Sequence, residues 1–160
     1  MKFFQTFDIA ASGMRAEQFR MDVVSNNIAN ANTSKTEDGD PYRRQVAVIN
    51  AKQAEMFDQA FTTASMDGEF DFNNKVNFSG GGVGVNGIME DNSDFRWVYD
   101  PTNPNAEKEG DRKGYVAMPN VNIIQEMTSM MAASRAYEAN ATTIESAKAM
   151  AMKALEIGKG

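Results

Sequence analysis

Apolar side chains recur at Phe7, Met14, Met21 and Ile28, a strict spacing of seven, with Ala10, Ala11, Val24 and Ala31 beside them. Asp8, Arg15, Gln18 and Asp22 take the opposite face, and no proline interrupts before Pro41. The pattern predicts an amphipathic helix from about Phe4 to about Ala29, with Gly13 its weakest point. A second stripe runs through Ile123, Met130, Tyr137, Ile144 and Ala151, supported by Met127, Ala141 and Leu155. Pro119-Asn120 opens it and Gly158 closes it, which predicts a helix of about 36 residues, roughly 54 Å long at the rise of an α-helix.

Between the stripes the period changes. All four prolines and most of the glycines lie there. Tyr42 to Ile49, Val83 to Glu90 and Asp94 to Tyr99 read as strands, and residues 54 to 80 read as an inserted loop. The expected fold class is mainly α, with long N- and C-terminal helices pairing as an α-helical coiled-coil domain and a small β-rich middle region. The expected divisions are an N-terminal helical arm at 1–33, an acidic β-rich middle at 34–119 with its insertion at about 54–80, and a C-terminal helical arm at 120–160.

Charge sharpens that division. Residues 1–53 carry seven Lys/Arg against six Asp/Glu, residues 54–120 five against twelve, and residues 121–160 four against four. The arms are close to neutral and the middle holds the excess of the net charge of −6, which argues against a nucleic-acid partner. Both stripes are built largely from Ala and Met, residues suited to close helix approach and adaptable packing. Ala132, Ala133, Ala136, Ala139, Ala147 and Ala154 extend the smooth surface of the second helix, a hint of contacts with other chains. The pattern alone fits an intramolecular helix pair with a small domain as well as it fits an assembling subunit.

The chain has no cysteine and no histidine, so thiol catalysis, thiolate zinc sites and imidazole chemistry are excluded. An enzyme would have to run on carboxylates, Lys or Tyr. Gly82-Val-Gly-Val-Asn-Gly87 spells G-x-G-x-x-G, but strand-like sequence follows it where a nucleotide site needs a helix. Asp67, Glu69, Asp71 and Asn73 alternate like half a calcium loop, with Phe72 and Phe78 standing where Gly and Glu are required. Glu90 with Asp91, or Asp94 with Asp100, could serve a glycosidase only if a cleft paired them. The sequons at Asn32 and Asn140 read as accidental, because Asn140 falls in the packed C-terminal helix. Arg43-Arg44, Lys148 and Lys153 read as solvated faces or subunit contacts. No catalytic, cofactor or metal residue is expected, and no run approaches the length of a membrane span.

Ser25-Asn-Asn-Ile-Ala-Asn-Ala-Asn-Thr33, at the end of the first helix, resembles the N-terminal signature of the bacterial flagellar rod and hook family. Its amides fall on Asn26, Asn27, Asn30 and Asn32, with Thr33 closing it. Asn120-Val-Asn122, with the run that follows it to Tyr137 and Asn140, resembles the same family's C-terminal signature. Val98-Tyr99-Asp100-Pro101 and Gly114 to Asn122 are similar to the proximal rod branch. The resemblance implies a structural axial subunit of the flagellar basal body, exported by the flagellum's own type III apparatus without a cleavable signal peptide. It would assemble within the periplasm with copies of itself, neighbouring proximal rod subunits, the rod-base adaptor and distal rod proteins, and transmit torque. It also implies terminal helices that pair and become ordered on assembly. Asn30 or Asn32 is expected to cap the first helix in a left-handed conformation, and Asn26 and Asn27 to bond to the C-terminal helix or to neighbouring chains. Competing readings are a carboxylate-dependent peptidoglycan-acting protein and a secreted coiled-coil adaptor.

Overall fold

The computed structural model describes residues 3–37, 39–52 and 81–158. The loop expected at 54–80 and the acidic alternation at Asp67 to Asn73 lie outside the described residues. Along the chain come α1 (Phe3–Ala29), β1 (Gln45–Ala51), β2 (Val83–Glu90), β3 (Arg96–Tyr99), β4 (Tyr115–Met118) and α2 (Ile123–Ile157). The architecture is mainly α with a small β-containing middle, as the pattern predicts. β1 pairs with β2, and β3 pairs antiparallel with β4 in the register Arg96↔Met118 to Tyr99↔Tyr115. The G-x-G-x-x-G glycines enter and punctuate strand β2, with no helix opening on them.

β4 is an addition to the expected elements. With four residues between Gly114 and Pro119 it is too short to announce a period of two, and its partner β3 defines it.

The chain divides into two compact units. The first takes residues 1–16, 49–85 and 137–160; the second takes 17–48 and 86–136. In the first unit Ala10, Ala16 and Ala147 are buried. The Ser12 hydroxyl donates to the Ile9 carbonyl at 2.7 Å and accepts from the Val83 backbone N–H at 3.0 Å, so a helical serine fixes the start of β2. Gly82 is required there: its φ is +73°, and a Cβ would strike the Ser12 hydroxyl. Gly13, weak as a helix former, has a packing reason to be in α1, since a Cβ on it would stand 2.9 Å from Asn140 Nδ2. Asn140 is therefore half-buried against α1, a position with no room for a glycan.

In the second unit Val23, Val24, Ala31, Val116, Ala133 and Pro119 are buried together with two polar residues, Asn27 and Glu126. Its α2 start is capped by Asn122, whose Oδ1 accepts from Ile124 N–H at 3.1 Å and Gln125 N–H at 3.4 Å. Asn122→Ala is expected to cost about 1 kcal/mol locally, which hydrogen exchange would read as roughly fivefold faster exchange at the Ile124 and Gln125 amides. Asn122→Asp should hold the wild-type rate.

The packed lines of both helices are displaced from the apolar stripes. Phe7, Met14, Met21 and Ile28 are half-buried flanks, while the buried positions of α1 are Ala10, Ala16, Val23, Val24 and Asn27. On α2, Met130 and Ile144 are half-buried and Ile123 and Tyr137 exposed, whereas Glu126, Ala133 and Ala147 are buried at heptad-related positions. Large apolar residues drew the expected stripes. Small residues form the packed lines because they let backbones come close, and the bulky side chains then cover the seam from its sides.

Candidate functional site

Among the described residues, the most organised polar site lies in the second unit and centres on Asn27 and Arg44. Asn27 is placed by the last turn of α1, Tyr42 to Gln45 by the chain entering β1, Asp91 and Ser93 by the loop after β2, and Asn120 and Glu126 by the start of α2. Asn27 has 0% of its surface exposed. Its Nδ2 donates to the Gln45 carbonyl at 2.8 Å and to Glu126 Oε2 at 2.9 Å. Its Oδ1 accepts from the Gln45 N–H at 2.9 Å and from the Tyr42 hydroxyl at 3.0 Å. Two donors and two lone pairs are thus all used. Toward Gln45 the amide imitates a strand neighbour, offering one donor and one acceptor to one residue's backbone.

Glu126, equally buried, spends its other oxygen on Arg44: Nε donates to Oε1 at 2.7 Å. Arg44 is held from four directions. Its Nη1 reaches Asp91 Oδ2 at 3.4 Å, its backbone N–H donates to Asn120 Oδ1 at 2.8 Å, and its carbonyl accepts from the Asp91 N–H at 2.8 Å. Asn120 in turn donates to the Asp91 carbonyl at 2.9 Å and to the Ser93 hydroxyl at 2.9 Å. Eight residues from separate parts of the sequence thereby fix one another.

The electrostatics favour this charge pattern. Burial disfavours the Arg44 charge, but hydrogen bonds and attraction from Glu126 and then Asp91 outweigh it, so the guanidinium is held protonated above its ordinary range. Burial, with the carboxylates of Glu126 and Glu90, raises the Tyr42 phenol, which stays protonated and able to donate to Asn27. Hydrogen bonds from the Ser93 backbone and hydroxyl, then Arg44, hold Asp91 below the usual carboxylate range. A carboxyl depressed in the folded state contributes stability at neutral pH that fades only as pH falls below the ordinary carboxylate range. Within this site the charged groups are committed to one another.

The other signature residues divide among different tasks. Asn30 caps α1 through its side chain, with Nδ2 donating to the Asn26 carbonyl at 3.0 Å and Oδ1 accepting from the Thr33 hydroxyl at 3.2 Å. The left-handed cap expected at Asn30 or Asn32 is not formed, since no non-glycine described residue has a positive φ. Backbone donors close the end of α1 instead: the Asn26 carbonyl accepts from the Asn30 N–H at 3.0 Å, that of Ile28 from the Ala31 N–H at 3.2 Å and that of Asn30 from the Thr33 N–H at 3.0 Å, with the Asn30 amide a second donor to Asn26. Asn27 does bond to α2, through Glu126, whereas the Asn26 and Asn32 side chains are exposed. Tyr99 ends β3 and Asp100 and Pro101 lead into a separate turn after it, where Asp100 Oδ1 accepts from Thr102 N–H at 3.1 Å and from its hydroxyl at 2.6 Å. That hydroxyl, then the backbone N–H, keeps Asp100 ionised below its ordinary range. Tyr99 stands edge-on to Tyr115 at 5.2 Å.

The sequence offered Arg44 only as a solvated face or subunit contact and Asp91 only as half of a carboxylate pair, and it gave Glu126 no role of its own. A signal existed for Glu126, which sits seven residues before Ala133 and fourteen before Asn140, on the small-residue line rather than the apolar one.

Comparison with known proteins gives this geometry a setting. The family described as "Flagella basal body rod protein" matches residues 7–34, and "Flagellar basal body rod FlgEFG protein C-terminal" matches residues 112–157. Those spans carry Asn27 and both Asn120 and Glu126. The chain is 43% identical to the flagellar basal-body rod protein FlgC of Borreliella burgdorferi over the whole of both chains. It is 41% identical to FlgC of Bacillus subtilis, across 99% of this chain and all of the relative, and 35% identical to FlgC of Salmonella typhimurium with the same coverage. With full-length similarity at this level and both arms matched, the chain belongs to the flagellar basal-body rod protein family, alongside the FlgC proteins.

Proposed function

We propose that the protein is a non-enzymatic structural subunit of the proximal rod of the bacterial flagellum, which assembles with copies of itself and with other rod proteins and carries torque from motor to hook. The observation that carries this reading is the similarity to FlgC proteins along the entire chain. The site supports it in kind. A fully satisfied, charge-paired cluster joining the end of α1, the start of β1 and the start of α2 stiffens a subunit and leaves nothing free for turnover.

The helices support it as well. In the first unit α1 meets α2 where Gly13 leaves room for Asn140, and within the second unit Asn27 of α1 bonds Glu126 of α2. No described helix is long and apolar enough to cross a membrane. Assembly in the periplasm after export through the flagellar type III apparatus, contacts with the rod-base adaptor and distal rod proteins, and ordering of the arms on assembly belong to the same proposal. So does the division into arms at 1–33 and 120–160 around the middle at 34–119. Deleting the gene should abolish motility and leave isolated basal bodies without rods, with both restored by the gene in trans. A motile deletion strain with complete rods would overturn the reading.

A further inference from the structure

The outward faces of the two helices in the second unit differ in a complementary way. On α2, Ile124 is 78% exposed, Met127 54% and Met131 58%, and these lie at i, i+3 and i+7, a single ridge. A ridge of this size facing water in an isolated chain marks an interaction surface. It carries no charge until Arg135, one turn beyond Met131, which is exposed and has no ion-pair partner among the described residues. On α1 the outward face offers Asp22, Ser25, Asn26 and Ala29, all exposed. It is small and amide-rich, carries no charge after Asp22, and Asp22 likewise has no ion-pair partner among the described residues.

We propose that the α1 face of one copy receives the α2 ridge of a second copy, antiparallel, with Asp22 paired to Arg135 across the contact. This rests on the structural-subunit reading and names the partner of its helices. The spacing fits. Asp22 to Ala29 spans roughly 10 Å of helix and Arg135 to Met127 roughly 12 Å, so the ion pair sets Met131 over Ser25 and Asn26, and Met127 over Ala29. Ile124 then lies beyond the end of α1, near Asn32. The bulky ridge meets small residues that leave room for it, and no charge is buried without a partner. Because the two faces differ, the contact is heterologous. Each added copy leaves one face of each kind free, so the assembly grows as a helix or a ring.

The absence of native cysteine makes the test clean. Chains carrying Ala29→Cys with Met127→Cys are expressed in a strain lacking the gene, and isolated basal bodies are oxidised and run without reductant. A ladder of self-cross-linked dimers and higher oligomers is expected, absent from either single variant. Ser25→Cys with Met131→Cys tests the same register should the first pair fail to assemble. Asp22→Arg and Arg135→Asp should each lower rod number severalfold, and the combined exchange should restore it to within about twofold. Assembled rods without self-cross-links in either pair, cross-links to a different chain, or an exchange that restores nothing would overturn the inference while leaving the rod reading intact. Basal bodies with complete rods that lack this chain would instead overturn the rod reading.

Discussion

Arg44→Met is expected to release the subunit from isolated basal bodies at markedly lower urea concentration than wild type, at a cost of about 3 kcal/mol. Removing one partner of a buried ion pair costs about 3–5 kcal/mol, because the remaining charge stays desolvated without its counter-ion. The lower end applies here, since the Arg44 side chain keeps 23% of its surface in water while that of Glu126 keeps 1%. The loss falls on Glu126 first and on Asp91 second, in line with contacts of 2.7 Å and 3.4 Å. Arg44→Lys should sit between wild type and Met, because one ammonium cannot span both carboxylates with the fork that Nε and Nη1 provide. The informative variant is the double one, Arg44→Met with Glu126→Gln. A neutral amide at 126 can still accept from Asn27 Nδ2, and no buried charge is stranded. It should therefore recover at least half of the loss. A double variant no better than Arg44→Met alone would mean that Arg44 acts through its packing or its contact with Asp91, and that the Glu126 pair is not the centre of the site.

That variant also separates what the sequence disclosed from what it concealed. The helices were legible because a heptad repeat over many turns has no other cheap explanation, and the three described strands that begin within the expected runs were legible because turns and glycines bound them. The faces were less legible. A reading that scores side chains by apolarity selects Phe7, Met14, Met21 and Ile28, yet α1 receives Asn140 where Gly13 leaves space for it. Packing is decided by shape as much as by transfer free energy, and small polar residues carry no apolar signal.

The site followed the same logic. Asn27 was picked out by the density of amides around it, but its partners were not. A lone Arg44 or Glu126 in a sequence looks like one more solvated charge, since most of them are. Only the fold, which brings residues 44, 91, 120 and 126 to the same place, turns them into one network. Even the end of α1 closes in a way that no local pattern announces: the Asn26 carbonyl accepts from both the backbone N–H and the side-chain amide of Asn30, with no left-handed turn.

Asn27→Asp changes one NH2 to an oxygen and is expected to be worse than Asn27→Ala. Alanine leaves the Gln45 N–H and carbonyl and Glu126 Oε2 without their amide partner, a loss of roughly 3 kcal/mol or more when several buried groups are orphaned together. Aspartate keeps the acceptor for the Gln45 N–H and the Tyr42 hydroxyl. It loses both donors, however, and sets a second carboxylate where Nδ2 stood, 2.9 Å from Glu126 Oε2. Two carboxylates at that separation cannot both stay ionised away from water, and one takes up a proton with its pKa pushed up. The sign of the pH dependence follows. In the variant the folded state binds more protons than the unfolded state, so its stability falls as pH rises through the raised pKa and improves on acidification toward pH values of about 5. The wild-type site behaves oppositely, since its depressed Asp91 contributes at neutral pH and loses that contribution only in stronger acid. Urea release of the subunit from basal bodies, measured at neutral pH and at about pH 5, should therefore converge for Asn27→Asp and wild type on acidification, while Asn27→Ala stays apart from wild type at both. Equal deficits for Asp and Ala at both pH values would mean that Asn27 and Glu126 do not face each other in the assembled rod.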